Sequence, residues 1–148
     1  MSEGIIAYSQ DWNVQTTNLG LLLAVVKIPK SFLPQTNFSE AKFTVGTSAD
    51  PVAIKNCFKS DGGSIGTTSE VTVNNQKFTR ITLADAGAGN FYETTSYRTI
   101  YNNQCYAIEY TIHSTNIGNY SPDQGIKEFD KQKVEPLLEN IVSSFKFL

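Results

Sequence analysis

The chain has 148 residues, a length typical of one domain over residues 1–148, and 40% of them are hydrophobic, which excludes a disordered chain. Its 12 basic and 14 acidic side chains are scattered without runs, so the sequence offers no basic patch to a nucleic acid. Abundant Thr, Ser, Asn and aromatic residues instead indicate a β-rich globular protein.

The apolar run at residues 19–28 is the first strong signal along the chain. It predicts a strand buried on both faces, because it is short and Pro29 ends it, with a helix as the alternative. The polar residues 1–18 allow one short edge strand. The run is far shorter than the ~20 residues that cross a bilayer. No Lys or Arg precedes it as in a signal peptide. We therefore expect no transmembrane segment here.

A second strand and a short helix follow a proline-containing loop. Residues 41–47 alternate between apolar and polar side chains, which predicts the strand. Asp50 then precedes Pro51, and a capping side chain before a proline predicts a helix that begins here and runs through Phe58. Residues 60–68 are rich in Gly, Ser and Thr and are expected to form a loop.

A first hairpin is predicted over residues 71–83. Its strands carry four large aliphatic side chains. A three-residue loop at residues 74–76 brings all four to one face, so we expect it rather than a two-residue loop. The four side chains are those of Val71, Val73, Ile81 and Leu83.

A second hairpin is predicted over residues 90–113, with its turn at Asn102 and Asn103. The glycine-rich residues 85–90 before it resemble a phosphate-binding loop. Such a loop must open a helix, however, and here a strand follows, so we predict a plain turn. If Tyr101 pairs with Gln104, the large apolar side chains gather on one face. The pairs on that face are Glu93 with Ile112, Thr95 with Tyr110, Tyr97 with Ile108, and Thr99 with Tyr106.

The other face of this hairpin carries ionisable side chains that the register places together. They are Tyr92, Arg98, Glu109 and His113, with Arg98 and Glu109 as diagonal neighbours that can form an ion pair. They form the candidate binding site. A catalytic site here would have one general base and no partnered nucleophile, so no residue is predicted to be catalytic. The alternative is a solvated or loop-covered sheet face with a surface ion pair.

The last predicted element is an amphipathic helix with apolar side chains at helical spacing and Asp130 as its cap. An interior proline fits a helix badly, so either the regular helix begins near Glu135 or a bent first turn contains Pro136. The apolar positions are Val134, Leu137, Leu138, Ile141, Val142 and Phe145.

Cys57 and Cys105 are the two cysteines of the chain, which also has a single histidine. Structural zinc needs about four ligands, so this set excludes it, and no metal or cofactor is expected. The pair forms either a disulfide or two buried thiols. The disulfide is predicted from position, since Cys105 points to the face left free for the short helix that Cys57 ends. A disulfide would indicate an oxidising compartment.

The order of these elements resembles the PsbP-like fold family, which includes small exported bacterial proteins and lipoproteins of the DcrB type. The local match is Ser-Ser-Phe-Lys-Phe at residues 143–147. Where many members have an aromatic "YP-x-x-W" opening, residues 27–32 read Lys-Ile-Pro-Lys-Ser-Phe. The resemblance implies an antiparallel sheet between helices. Members have different roles, from photosystem support to binding a small GTPase, so it implies no functional residue.

These features predict one α+β domain, in which an antiparallel sheet packs against the C-terminal helix and the short second helix, as in a PsbP-like α/β/α sandwich. The expected function is that of a non-enzymatic binding or accessory module for a protein or small ligand. We expect it to be exported to the periplasm or outside the cell, with a signal peptide or lipid anchor removed. Two alternatives stay open: a hydrolase using the Tyr92, Arg98, Glu109 and His113 face, or a secreted enzyme inhibitor that presents a polar loop, either Thr36-Asn37 or residues 114–125.

Overall fold

The computed structural model describes residues 20–59 and 64–148, and its main feature is one antiparallel sheet of six strands. The strands lie in the order β1-β2-β6-β5-β4-β3, so the two central hairpin strands, β5 and β6, are flanked on both sides. The strands are β1 (Leu21–Ile28), β2 (Phe38–Ser48), β3 (Ser64–Val73), β4 (Gln76–Gly87), β5 (Asn90–Tyr101) and β6 (Gln104–Thr115).

The predicted α+β sandwich is wrong, because the helices in the described residues are too short to form layers. Helix α1 (Pro51–Lys55) has five residues and helix α2 (Glu135–Ser143) has nine. Asp130 caps a 3₁₀ turn at Lys131–Lys133, and α2 begins at Glu135, which places Pro136 in its first turn where proline is tolerated. The apolar pattern that predicted a longer helix continues into a non-helical tail. The fold is a β-sheet with one helix of nine residues packed on one face and a five-residue helix on the other.

Three two-residue turns connect β3 to β4, β4 to β5 and β5 to β6, and all have positive φ at both turn residues. The turn residues are Asn74-Asn75, Ala88-Gly89 and Asn102-Asn103. Asn and Gly adopt this conformation at little cost, and it matches the twist of the strands. The predicted register of the central hairpin is confirmed, with Tyr101 opposite Gln104 and Tyr97 opposite Ile108. The glycine-rich segment connects two strands as predicted, but its turn is only Ala88-Gly89, because residues 85–87 belong to β4 and Asn90 begins β5.

The three-residue loop predicted at residues 74–76 is wrong, since Val73 pairs directly with Gln76. Val71 and Val73 therefore pack towards α2, whereas Ile81 lies on the opposite side of the sheet and is also buried. The prediction assumed that one face holds all the aliphatic side chains. The sheet buries side chains on both faces, so the hydrophobic pattern does not select the longer loop.

The main core lies between the sheet and α2, on the side that we name the helix face. Val134, Leu138 and Val142 are buried against it from the C-terminal segment. Burial of an aliphatic or aromatic side chain stabilises a fold by roughly 1.5–3 kcal/mol. This packing therefore holds α2 on the sheet. The buried sheet side chains on the helix face include Phe43, Val45, Tyr97, Ile108, Tyr110 and Ile112.

The opposite side, which we name the disulfide face, carries α1 through the Cys57–Cys105 disulfide. The two Cα atoms are 5.8 Å apart, within the range that a disulfide requires, so the predicted bridge is confirmed in the structure. Both cysteines are buried in a small cluster with Ala53 and Ala107. The helix begins as predicted, with Asp50 accepting a hydrogen bond from Val52 N, but it ends at Lys55, short of Phe58.

The run at residues 19–28 forms a strand as predicted, but it is not buried on both faces. Strand β1 is at the edge of the sheet and pairs with β2 alone among the described strands. The side chains of Leu23, Val25 and Val26 are each about two-fifths exposed, at 40%, 39% and 42%. The edge strand predicted within residues 1–18 lies outside the described residues.

The C-terminal tail after α2 packs beside two of the hairpin turns. The side chain of Asn74 donates hydrogen bonds to the carbonyl oxygens of Ser143 and Phe145, and the Phe147 ring stacks on Tyr101 with centroids 3.7 Å apart. Residues 143–147 thus close one end of the core.

We predict that Asn74→Gly lowers the free energy of unfolding by about 1–2 kcal/mol more than Asn102→Gly does. Both positions have a positive φ that glycine accepts, so the difference isolates the two hydrogen bonds from Asn74 to the tail. Urea unfolding of both variants measures it. Equal losses would contradict the role given to Asn74.

Candidate binding cavity

The four residues of the predicted site share the disulfide face, but the structure divides them into two pairs. Arg98 and Glu109 are buried, at 0% and 3% exposure, with Nη2 and Oε2 3.9 Å apart. The Arg98 guanidinium also donates to Ser96 Oγ and to the carbonyl oxygens of Cys57 and Lys59. Arg98 therefore fastens the segment after α1 to the sheet by hydrogen bonds.

Tyr92 and His113 form the second pair, near the other end of the same strands. Their rings stack with centroids 4.4 Å apart, and His113 Nε2 is 2.8 Å from Asn90 Oδ1. Four residues of strand, roughly 13 Å, separate His113 from Glu109. The predicted site is thus not a single cluster. Its buried half holds the chain in place, and its aromatic half is partly exposed.

A cavity of about 750 Å³ lies on the helix face, at the end of the sheet where β4, β5 and β6 meet the segment of residues 116–131. Apolar side chains contribute much of its lining. Cross-strand pairing puts Ala86 opposite Phe91 and Phe91 opposite Ser114, so these side chains share the helix face. The main apolar lining residues are Ala84, Ala86, Phe91, Ile112, Ile117 and Phe129.

Asn37 fixes one wall of this cavity. Its buried side chain donates to the carbonyl oxygen of Thr115, at 2.7 Å, and accepts from the backbone N–H of Phe129, at 2.8 Å. One amide thus joins the start of β2, the end of β6 and the segment that covers the cavity. The alternative function of an enzyme inhibitor offered Thr36-Asn37 as one of two loops to present, and the structure uses the Asn37 side chain internally.

The turn between β4 and β5 fixes a second wall. The Gly89 carbonyl oxygen accepts hydrogen bonds from the backbone N–H of Asn116 and from the Asn119 side chain. A Cβ atom at Gly89, whose φ is +77°, would lie 2.8 Å from Asn119 Nδ2, so the close approach requires glycine. Both walls are held by hydrogen bonds within the chain.

A second, smaller cavity of about 300 Å³ adjoins the first on the helix face and extends towards Arg80, Tyr110 and Glu135. Four residues line both cavities, which makes them neighbouring compartments of one groove between the sheet and the segment leading into α2. The shared residues are Ala84, Glu93, Ile112 and Lys131.

Lys131 lies at the boundary between the two cavities. Its Nζ is 2.6 Å from Glu93 Oε2 on the sheet and 3.6 Å from Glu135 Oε2 on α2. The hydrogen bond that Lys131 donates to Glu93 and the negative charge of both carboxylates raise the pKa of Lys131. Glu128 also lines the first cavity, and no described Lys or Arg lies within ion-pair distance of it.

A polar cluster lies between α2 and the sheet beside the second cavity. The hydroxyls of Tyr97 and Tyr110 both donate to the Glu139 carboxylate, and Arg80 Nε donates to the Tyr97 oxygen. Burial and the hydrogen bond to Glu139 raise the pKa of Tyr97 to about 12 and also raise that of Tyr110. These hydrogen bonds connect Glu139 of α2 to β5 and β6.

The cavity was missed at the level of sequence, because its lining comes from five separate segments that no spacing rule connects. Within the described part of the chain, no group of three or more His, Cys, Asp or Glu side chains is arranged to hold a metal ion. The described helices also include none with the length and apolarity needed to cross a membrane.

We predict that the free energy of unfolding falls as the pH rises from 10 to 12. A raised pKa in the folded state means that the Tyr97 contribution is complete below the ordinary tyrosine pKa of 10.0 and is lost as the pH passes about 12. Tyr97→Phe should lose less stability over this interval, as measured by urea unfolding at several pH values. Tyr101→Phe, whose hydroxyl lies outside the cluster, should keep the wild-type slope; an unchanged slope in Tyr97→Phe would contradict this account.

Comparison with known proteins gives no relative from which a function can be transferred. No family model matches the chain, and no curated protein matches it. The resemblance to the PsbP-like family therefore stays a prediction.

Proposed function

We propose that the protein is a binding module, without catalytic activity of its own, that takes a small ligand with an apolar body into the first cavity. The observation that carries this proposal is the cavity itself. Its volume of about 750 Å³ lies within the range of roughly 300–1,000 Å³ typical of small-molecule sites. Half of its 14 lining residues are apolar or aromatic, which suits an apolar body, and the other half are polar or charged groups that can orient a ligand.

The rigidity of the walls supports the same function. Asn37 holds one wall and Gly89 the other, through hydrogen bonds that do not involve a ligand. A preformed cavity lowers the entropy that binding costs, because few side chains must be ordered when the ligand enters.

The chemistry of the lining favours binding over catalysis. The single histidine of the chain stacks on Tyr92, which lines the cavity, but His113 is not itself among the lining residues. Ser114 lines the cavity but is itself buried. A hydrolase would need a nucleophile with a base within hydrogen-bond distance, and the hydrogen bonds formed by the described lining residues do not include such a pair.

The disulfide supports export as the setting for this function. Such bonds persist in the periplasm and outside the cell, and they are reduced in the cytosol. We therefore propose that the binding module works in the periplasm or the extracellular space, which would keep the Cys57–Cys105 bridge oxidised.

We predict that Ala86→Trp weakens binding of the neutral apolar dye N-phenyl-1-naphthylamine by about tenfold or more, which corresponds to 1.4 kcal/mol. The indole would occupy the cavity that Ala86 lines. Dye fluorescence measures the affinity. Thr72→Trp, an exposed position on the edge strand β3, is the matched control and should bind as the wild type does. Loss of binding in the control alone, or in neither variant, would overturn the proposed site.

We predict that the denatured, unreduced protein from its native source contains no titratable thiol. Cys57→Ser with Cys105→Ser should lower the free energy of unfolding by up to about 4 kcal/mol, because the bridge spans 48 residues of chain. Thiol titration and urea unfolding are the measurements. Two thiols in the native protein would remove the basis for proposing export.

A further inference from the structure

The groove on the helix face already holds an ammonium group, that of Lys131. The two carboxylates around it come from different parts of the fold, Glu93 from β5 and Glu135 from α2. The sheet and the helix therefore place two acceptors on either side of one small cation. The boundary between the two cavities therefore offers hydrogen-bond acceptors to an ammonium group.

The Lys131 ammonium is held there weakly. The Lys131 and Glu93 side chains are 43% and 51% exposed, and ion pairs this accessible to water contribute little to stability. Lysine is also a flexible side chain that can swing to solvent without moving the backbone. A ligand cation can therefore replace the Lys131 ammonium at small cost to the fold.

The charges of the groove favour a cation over an anion. Four carboxylates line it, those of Asp85, Glu93, Glu128 and Glu135, against the cations of Lys131 and Arg80. Arg80 is engaged with Tyr97, to which it donates a hydrogen bond and over whose ring it lies at 5.6 Å. When Lys131 turns away, the carboxylates of the groove are left in excess beside low-dielectric apolar walls, which strengthens their field.

The geometry points to an organic cation as the ligand of this groove: we propose that its apolar body fills the first cavity and that its ammonium or guanidinium group takes the place of Lys131 Nζ at Glu93 and Glu135. This inference rests on the proposed binding function and specifies the chemical class of the ligand. Phe91 and Phe129 line the cavity that would receive the body, and aromatic faces attract a neighbouring cation.

Three probes with one body and different charges test the proposal: 2-phenylethylamine as the cation, 2-phenylethanol as the neutral analogue and phenylacetate as the anion. Affinities are measured on the full chain by chemical-shift titration. We expect the amine to bind about tenfold more tightly than the alcohol, with the anion weakest. The preference for the amine should shrink as salt is added, because ions screen exposed charges.

Two variants assign the preference to the proposed atoms. Glu93→Gln should remove the advantage of the amine and leave binding of the alcohol unchanged, whereas Glu70→Gln, an exposed carboxylate on β3, should change neither. Lys131→Met should raise the affinity for the amine severalfold, because the competing ammonium is gone. An amine preference that survives in Glu93→Gln, or an amine affinity that falls in Lys131→Met, would overturn the inference.

The outcomes separate this inference from the function on which it rests. If the amine and the alcohol bind equally and Ala86→Trp weakens both, the cavity is a binding site and the charge preference is wrong. If the three probes fail to bind while the naphthylamine dye binds in a manner sensitive to Ala86→Trp, the ammonium site is again wrong. If the dye also fails, the proposed function falls, and this inference falls with it.

Discussion

The rest of the structure depends on one constraint: the turn at Asn102-Asn103 contains an even number of residues, two. Side chains alternate between the two faces of a strand, so a turn of exactly two residues decides which face each residue of β5 and β6 joins. With this turn, Tyr97, Ile108 and Tyr110 face α2, and Arg98, Cys105 and Glu109 lie on the disulfide face. A turn one residue longer would put a buried guanidinium among the apolar side chains, at a high desolvation cost.

The same alternation explains how one sheet serves two purposes. On the helix face, apolar packing holds α2, and the groove remains where the segment before α2 passes over the end of the strands. On the disulfide face, the buried guanidinium of Arg98 donates hydrogen bonds to the carbonyl oxygens of Cys57 and Lys59. The Cys57–Cys105 disulfide attaches the same segment covalently. That face is anchored twice, whereas the two cavities described above both lie on the helix face.

Sequence patterns predicted what depends on local chemistry. The central register followed from the alternation of Tyr97, Ile108 and their neighbours, and the disulfide followed from the face to which Cys105 points.

The loop after Val73 was mispredicted because the pattern cannot show that Ile81 is buried on the second face. The predicted α+β class failed because the apolar periodicity of the C-terminal segment does not distinguish a helix from a tail that packs after the helix ends. The groove could not be predicted, since Asn37, Gly89 and Lys131 are brought together only by the completed fold.

The disulfide divides the chain into a closed covalent ring and an open remainder. The ring runs from Cys57 to Cys105 and contains β3, β4 and β5, whereas β2, most of β6 and α2 lie outside it. Local unfolding of α2 therefore leaves the ring covalently closed and separates only noncovalent contacts. The first cavity lies across this division, with Phe91 inside the ring and Phe129 outside it. A bound ligand would connect the open remainder to the ring, so its binding energy would appear as slower amide exchange throughout α2, beyond Glu135, the residue of that helix that the proposed cation contacts.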